Sequence, residues 1–200
     1  MATSTTTLDA SAKPNERILM VVSDDSRDQD LMLQQEAFVM RDLIEAAGYD
    51  VDVVTVNDEP LLGEVSLHPD LTLAEVKLTN YVGLILPCMA AEPQKAMPEK
   101  IVRLVERAQA RALPMGAMRG SVRELARAGV LAGRRYAYAT QVDLDANPEF
   151  RGATYTGTGV TTDNGVSTAG ICPLAAKVLD QPDATTELTQ AFLTSVSDRP

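Results

Sequence analysis

Aromatic residues are scarce in this 200-residue chain, 4% of the total, and tryptophan is absent. A core must therefore be assembled from Val, Leu, Ile, Ala and Met. A single histidine, His68, lies in the loop-like stretch Ser66-Leu67-His68-Pro69-Asp70, which argues against a histidine-built metal site. The two cysteines, Cys88 and Cys172, are far apart and form no CxxC or Cys/His cluster. They read as free thiols of a reducing, cytoplasmic environment. No apolar run approaches the ~20 residues that a membrane-spanning helix needs. Basic residues are outnumbered, 18 against 28 acids, for a net charge of −10. The deficit lies in residues 1–100, with 7 bases against 18 acids. Phosphate recognition needs the opposite sign, so a nucleic-acid role is not expected.

The apolar fraction, 45%, and the charged fraction, 23%, suit a globular domain. The length suits one domain, expected over residues 15–197. Residues 1–14, rich in Thr, Ser and Ala, have no apolar core of a secretory signal and read as a disordered arm.

Arg17–Ser23 and Val82–Leu86 are continuous apolar runs, as in strands buried on both faces of a parallel sheet; Val51–Val56 is a further strand. Helices are expected over Leu31–Ala47, ended by Gly48, over a short Thr72–Val76 segment, after Pro98, and over Ser121–Ala128. Leu113–Ala117 is a short strand. Asp163-Asn164-Gly165 marks a hairpin turn between the strands Thr154–Val160 and Gly165–Thr168. Helices near Pro173–Leu179 and Ala184–Thr194 close the chain. Alternating strands and helices predict an α/β fold, a mostly parallel sheet with helices on both faces. Ligands of such sheets bind beyond the carboxyl ends of the strands. That rule selects Ser23–Asp30, Pro87–Glu92, Met118–Ser121 and Ala169–Pro173.

Gly116-Ala117-Met118-Arg119-Gly120 has the spacing of a nucleophile elbow, with Met118 at the centre and Ser121/Glu124 reading as a capping box for the next helix. A thioether has no proton to lose and forms no ordinary acyl intermediate. The bland alternative is a tight turn with a packed methionine.

Several segments together resemble the ThiJ/PfpI superfamily of flavodoxin-like proteins. Glu36 precedes Ala46-Ala47-Gly48 as that family's acidic residue precedes an A-G pair. His68-Pro69-Asp70-Leu71-Thr72-Leu73 is similar to its PD-x-x-L connection. Leu84-Ile85-Leu86-Pro87 is similar to the strand entering its P-G-G loop. Ala117-Met118-Arg119-Gly120 is similar to its A-[I/V]-C-[H/A]-G elbow, and Asp163–Ala169 to a later strand. The resemblance spans about Arg17 to Leu179. It implies a three-layer flavodoxin-like sandwich with a class I glutamine amidotransferase-like fold, and a homodimer.

The departures bear on function. Met118 aligns with the nucleophilic cysteine and Arg119 with a following histidine. Ala139 stands where another histidine would fall, and Pro87-Cys88-Met89 replaces P-G-G. Cysteine-dependent protease or glyoxalase chemistry is therefore not expected. The expectation is a noncanonical enzyme acting on a small organic molecule by acid–base chemistry, such as hydration, isomerisation, cyclisation or lyase-type cleavage, without cofactor or metal. Glu36 would be the acid/base, with Asp24 and Asp25 assisting. Arg119 would bind the substrate, and Met118, Met89, Gly120, Cys88 and Cys172 would line its pocket. Cys88 could be a migrated thiol near Glu36, and Cys172 a thiol with its pKa lowered at a helix start. Buried cysteines are more often inert. The alternative is a non-catalytic relative: a ligand sensor, a partner-binding protein or a chaperone-like protein.

Two other readings fail. Asp24 and Asp25 after the first strand suggest a phosphoacceptor receiver, but the third strand ends Leu86-Pro87-Cys88 without an aspartate. Asp24–Asp30 lacks the central glycine of an EF-hand loop, and Arg27 occupies a ligand position.

Overall fold

In a computed structural model, which describes residues 16–89 and 97–199, strand β1 (Arg17–Val22) is the spine. From Ile18 to Val22 every residue is fully buried. Successive side chains of a strand face opposite sides. Thus Ile18, Met20 and Val22 enter one core cluster, and Leu19 and Val21 the other. A strand apolar on both faces is stable only when helices cover both.

β1 pairs in parallel with β2 (Asp50–Thr55) on one side and β3 (Tyr81–Leu86) on the other. The sheet continues through β4 (Met115–Met118) to β8 (Val166–Ala169), still parallel, and ends with the antiparallel β7 (Val160–Asp163). Its order is β2-β1-β3-β4-β8-β7. The hairpin turn between β7 and β8 is Asn164-Gly165, both at positive φ, 48° and 75°, as a two-residue type I′ loop requires.

One face carries α1 (Gln29–Met32), a π turn (Leu33–Ala37) and α2 (Phe38–Ala46), together with α5 (Pro173–Leu179) and α6 (Thr185–Ser197). The other carries α3 (Glu99–Ala110) and α4 (Val122–Arg127). The α/β sandwich expected from the sequence is what forms. Helix α6 lies so close to the sheet that a Cβ on Gly83 would stand 2.7 Å from Phe192 Cζ.

Some local expectations differ. Thr72–Val76 is a turn, not a helix: the Thr72 amide and hydroxyl both donate to Glu75 Oε2, at 2.8 and 2.7 Å. That closure satisfies the segment locally, and a helix too short to repay its nucleation does not grow. The span from Thr154 to Val160 splits into β6 (Thr154–Tyr155) and the start of β7. β6 pairs with β5 (Arg135–Tyr136) as a separate two-stranded sheet that residue pattern did not announce. The expected arm, residues 1–14, lies outside the described residues.

Candidate active site

The chain reverses direction after β4, and the residue that makes the reversal is Arg119. Its φ is +41°, whereas Met118 is ordinary extended strand, φ −102° and ψ 129°. Met118 is fully buried in the sheet. The elbow therefore presents Arg119, one residue later than the glycine spacing indicates. The spacing misleads because Gly116 has a different task. It lies within β4, and a Cβ there would come 3.3 Å from Phe192 Cγ and 3.1 Å from Ile85 Cγ1. A non-glycine residue in the left-handed region costs roughly 1–3 kcal/mol and persists only where its surroundings hold it. Arg119 Nη1 donates to the Gly170 carbonyl at 3.0 Å, which ties the elbow to the end of β8.

The capping box does not form. The Ser121 hydroxyl donates instead to the Pro87 carbonyl at 2.6 Å. Glu124, almost fully buried, accepts from the Met97 amide at 3.1 Å and from Arg127 Nη1 at 2.6 Å. A short 3₁₀ turn, Arg119–Ser121, separates elbow and helix, so the hydroxyl of Ser121 is drawn to the end of β3.

Glu36 lies in the π turn between α1 and α2. The wider turn is a common feature of functional sites. The side chain is fully buried, and its Oε2 accepts a 2.8 Å hydrogen bond from the Met89 amide. Met89 itself has φ +49°, so the carboxyl holds the strained loop after β3. Glu36 Oε1 is buried without a hydrogen-bond partner. Burial pushes the carboxyl pKa well above its usual range, and the nearby Cys172 pushes in the same direction. The Met89 and Cys88 amides pull the other way. Burial prevails, and the carboxyl is held toward its neutral form.

Beyond the strand ends lies a cavity of about 400 Å³ whose wall includes Arg27, Cys88, Arg119, Gly120, Tyr138 and Cys172. The loops after β1, β3, β4, β5 and β8 each contribute, as the edge rule for such sheets anticipates. Cys88 and Cys172 are free and buried. The Cys88 thiol is hydrogen-bonded to Cys172. That bond, joined by the Ala175 and Leu174 amides and the charge of Arg119, outweighs burial and brings the Cys172 pKa down to about 6. Cys88 moves the opposite way, raised first by its bond to Cys172 and then by burial and Glu36. The pair thus favours the thiolate at Cys172 and the thiol at Cys88. Burial raises the Tyr138 phenol as well, so it stays a neutral donor.

The structure brings together Cys88, Arg119, Gly120 and Cys172 in the cavity wall, with Glu36 close enough to influence both sulfurs. It does not bring Asp24, Asp25, Met89 or Met118 into that wall. Asp24 Oδ2 accepts from the Asn57 amide at 3.0 Å, and the Asp25 amide donates to Ser23 Oγ at 3.3 Å. The Asp24 carboxylate and the Asp25 backbone are thus engaged in the loop after β1. Glu36 is likewise outside the wall, bonded to the Met89 amide. Tyr138 is a wall residue that sequence reading missed, and Arg27 lies in the selected segment Ser23–Asp30 without having been singled out for the site. Tyr138 arrives on the β5 segment, which carries no periodic pattern.

The site lies at the strand ends of a parallel sheet within residues 16–178, which match the model of the DJ-1/PfpI family. The chain belongs to the DJ-1/PfpI family. Among solved structures, this DJ-1/PfpI chain is similar to a ThiJ/PfpI domain protein from Brachyspira murdochii. The TM-score is 0.69 at 17% identity, covering 94% of this chain and 100% of that one. It is also similar to a DJ-1 superfamily protein from Agrobacterium tumefaciens, with a TM-score of 0.67 at 20% identity, covering 92% and 100%. An AraC family transcriptional regulator from Pseudomonas putida matches at 0.59 and 16% identity, covering 90% and 92%. At these identities the likeness shows the fold alone. Comparison with curated proteins gives no match. Among the described residues no helix is long and apolar enough to cross a membrane, and no group of three or more His, Cys, Asp or Glu is placed to hold a metal ion.

Proposed function

We propose that this DJ-1/PfpI protein is an enzyme that acts on a small carbonyl-bearing molecule through the thiolate of Cys172. The observation that carries the reading is a cavity of about 400 Å³ with Cys172 and Arg119 in one wall. A thiol whose pKa is about 6 is mostly ionised at neutral pH, and the thiolate is the nucleophilic form. The sulfur lone pair forms a C–S bond to the carbonyl carbon, and the C=O π pair moves onto oxygen. Arg119 faces the negative charge that develops there, and water or the Tyr138 phenol supplies the proton. Arg119 also suits a substrate carboxylate.

This reading differs from acid–base catalysis by Glu36. A carboxyl that contacts substrate must line the cavity, and Glu36 is not among its wall residues, its Oε2 being taken up by the Met89 amide. Glu36 is a positioning residue: it holds the loop that carries Cys88 and places a neutral group, not a second negative charge, behind the thiolate. The protein is proposed to work as a cytoplasmic homodimer. Free cysteines and the exposed Val178 and Leu179 at the cavity rim favour this, and light scattering tests the dimer.

The test is turnover of a panel of small aldehydes and 2-oxo acids by the wild type and by Cys172→Ser, read by NMR. Consumption by the wild type that Cys172→Ser abolishes supports the reading; consumption that survives the substitution overturns it. Saturable binding of the same compounds without consumption favours a ligand-sensing protein instead.

A further inference from the structure

Cys88 and Cys172 lie 84 residues apart in the sequence, yet their sulfurs are hydrogen-bonded in the wall of one cavity. They reach it on separate strands. Cys88 follows β3, two residues past Leu86, and Cys172 follows β8. Gly120 lies beside the loop: a Cβ there would stand in ordinary contact with Cys88 Sγ, at 3.5 Å. The carbonyl chemistry proposed above uses one sulfur only and leaves the second without a role. Two thiols in contact, one ionised and one protonated, have a reaction of their own.

We propose that Cys172 and Cys88 are a peroxide-reactive dithiol that closes to an intramolecular disulfide. The lone pair of the Cys172 thiolate attacks one oxygen of a hydroperoxide ROOH. The O–O bond breaks, and the alkoxide RO⁻ leaves and takes a proton from water. Cys172 becomes a sulfenic acid, oxidised by two electrons, while the peroxide is reduced by the same two. The Cys88 thiol then loses its proton and attacks the Cys172 sulfur. An S–S bond forms as the S–O bond breaks, and hydroxide leaves with the proton as water. A thiol reductant returns the pair to its starting state. Cys172 is 1% exposed and lines the cavity wall, and the cavity is the side from which a small hydroperoxide approaches its sulfur. Glu36 is buried close by with Oε1 unpartnered, and burial holds its carboxyl toward the neutral form.

The inference uses the same thiolate as the proposed enzyme but needs no organic substrate, so the two fail separately. Loss of carbonyl turnover leaves disulfide formation untouched, and the reverse holds equally. The experiment treats the reduced wild-type chain with hydrogen peroxide, blocks remaining thiols with iodoacetamide under denaturing conditions, and reads intact and peptide masses. The expected product is a chain about 2 Da lighter than the reduced one, unalkylated, with the peptides of Cys88 and Cys172 joined. Cys88→Ser is expected to give no disulfide and to leave Cys172 as a sulfinic acid, heavier by about 32 Da. The wild-type measurement stands alone should that variant fail to fold. A wild type that yields sulfinic acid at Cys172 with no linked peptides overturns the proposal. So does one whose two thiols remain fully alkylatable, or whose only disulfide joins two chains.

Discussion

The Glu36 carboxyl and the Met89 amide are joined by a 2.8 Å hydrogen bond between the π turn after α1 and the loop after β3. The bond makes a fully buried acid the support of a backbone residue at positive φ. It also ties the charge state of Glu36 to the stability of the loop that carries Cys88.

Glu36 is expected to make folding weaker as pH rises. Its pKa is raised in the folded chain from an ordinary value of 4.5. Above that value the folded state therefore holds a proton that the unfolded state has released, and the stability it contributes is lost progressively toward the raised pKa. Glu36→Gln keeps an acceptor for Met89 and cannot titrate. Denaturant melts from pH 4 to pH 8 should show a downward slope in the wild type that the variant lacks; equal slopes would remove this account.

Alkylation of Cys172 is expected to follow an ionisation near pH 6. The shift is downward from 9.0, so the thiolate's contribution to stability is complete above pH 9 and lost as pH falls through 6. Cys88, Glu36 and Arg119 face the sulfur. Replacing Arg119 with Gln removes a positive charge and is expected to move the midpoint upward, as is Cys88→Ala through loss of its hydrogen bond. Iodoacetamide rates against pH read both directly.

Ser121→Ala is expected to destabilise the fold by about 1–3 kcal/mol, because the Pro87 carbonyl loses a buried donor. The melting temperature reports the loss. The same substitution is expected to slow Cys172 alkylation less than Arg119→Gln does.

Gly83→Ala tests the approach of α6 to the sheet. The added Cβ would meet Phe192 Cζ at 2.7 Å and Val196 Cγ2 at 3.0 Å. Overpacking of this kind costs roughly 1–3 kcal/mol. A shift of that size in chemical denaturation, with unchanged Cys172 reactivity, separates core packing from the site.

The amino-acid sequence alone determined the sandwich, because β1 and β3 are apolar on both faces and every crossover contains enough chain for a helix. It also placed the hairpin at Asn164-Gly165, where positive φ is needed twice, and marked the strand ends that carry Cys88, Arg119 and Cys172. Tertiary structure alone decided which of these residues face one another. The elbow lies at Arg119 and not at Met118, since one glycine of the apparent motif is claimed by packing under Phe192. Ser121 and Glu124 bind distant backbone rather than capping each other. The thiol pair joins residues in the loops after β3 and β8, strands separated in the sheet by β4. Local pattern reports the period of burial along one segment. Contact between segments depends on sheet order and on the exact turn of each loop, and those are settled only when the whole core packs.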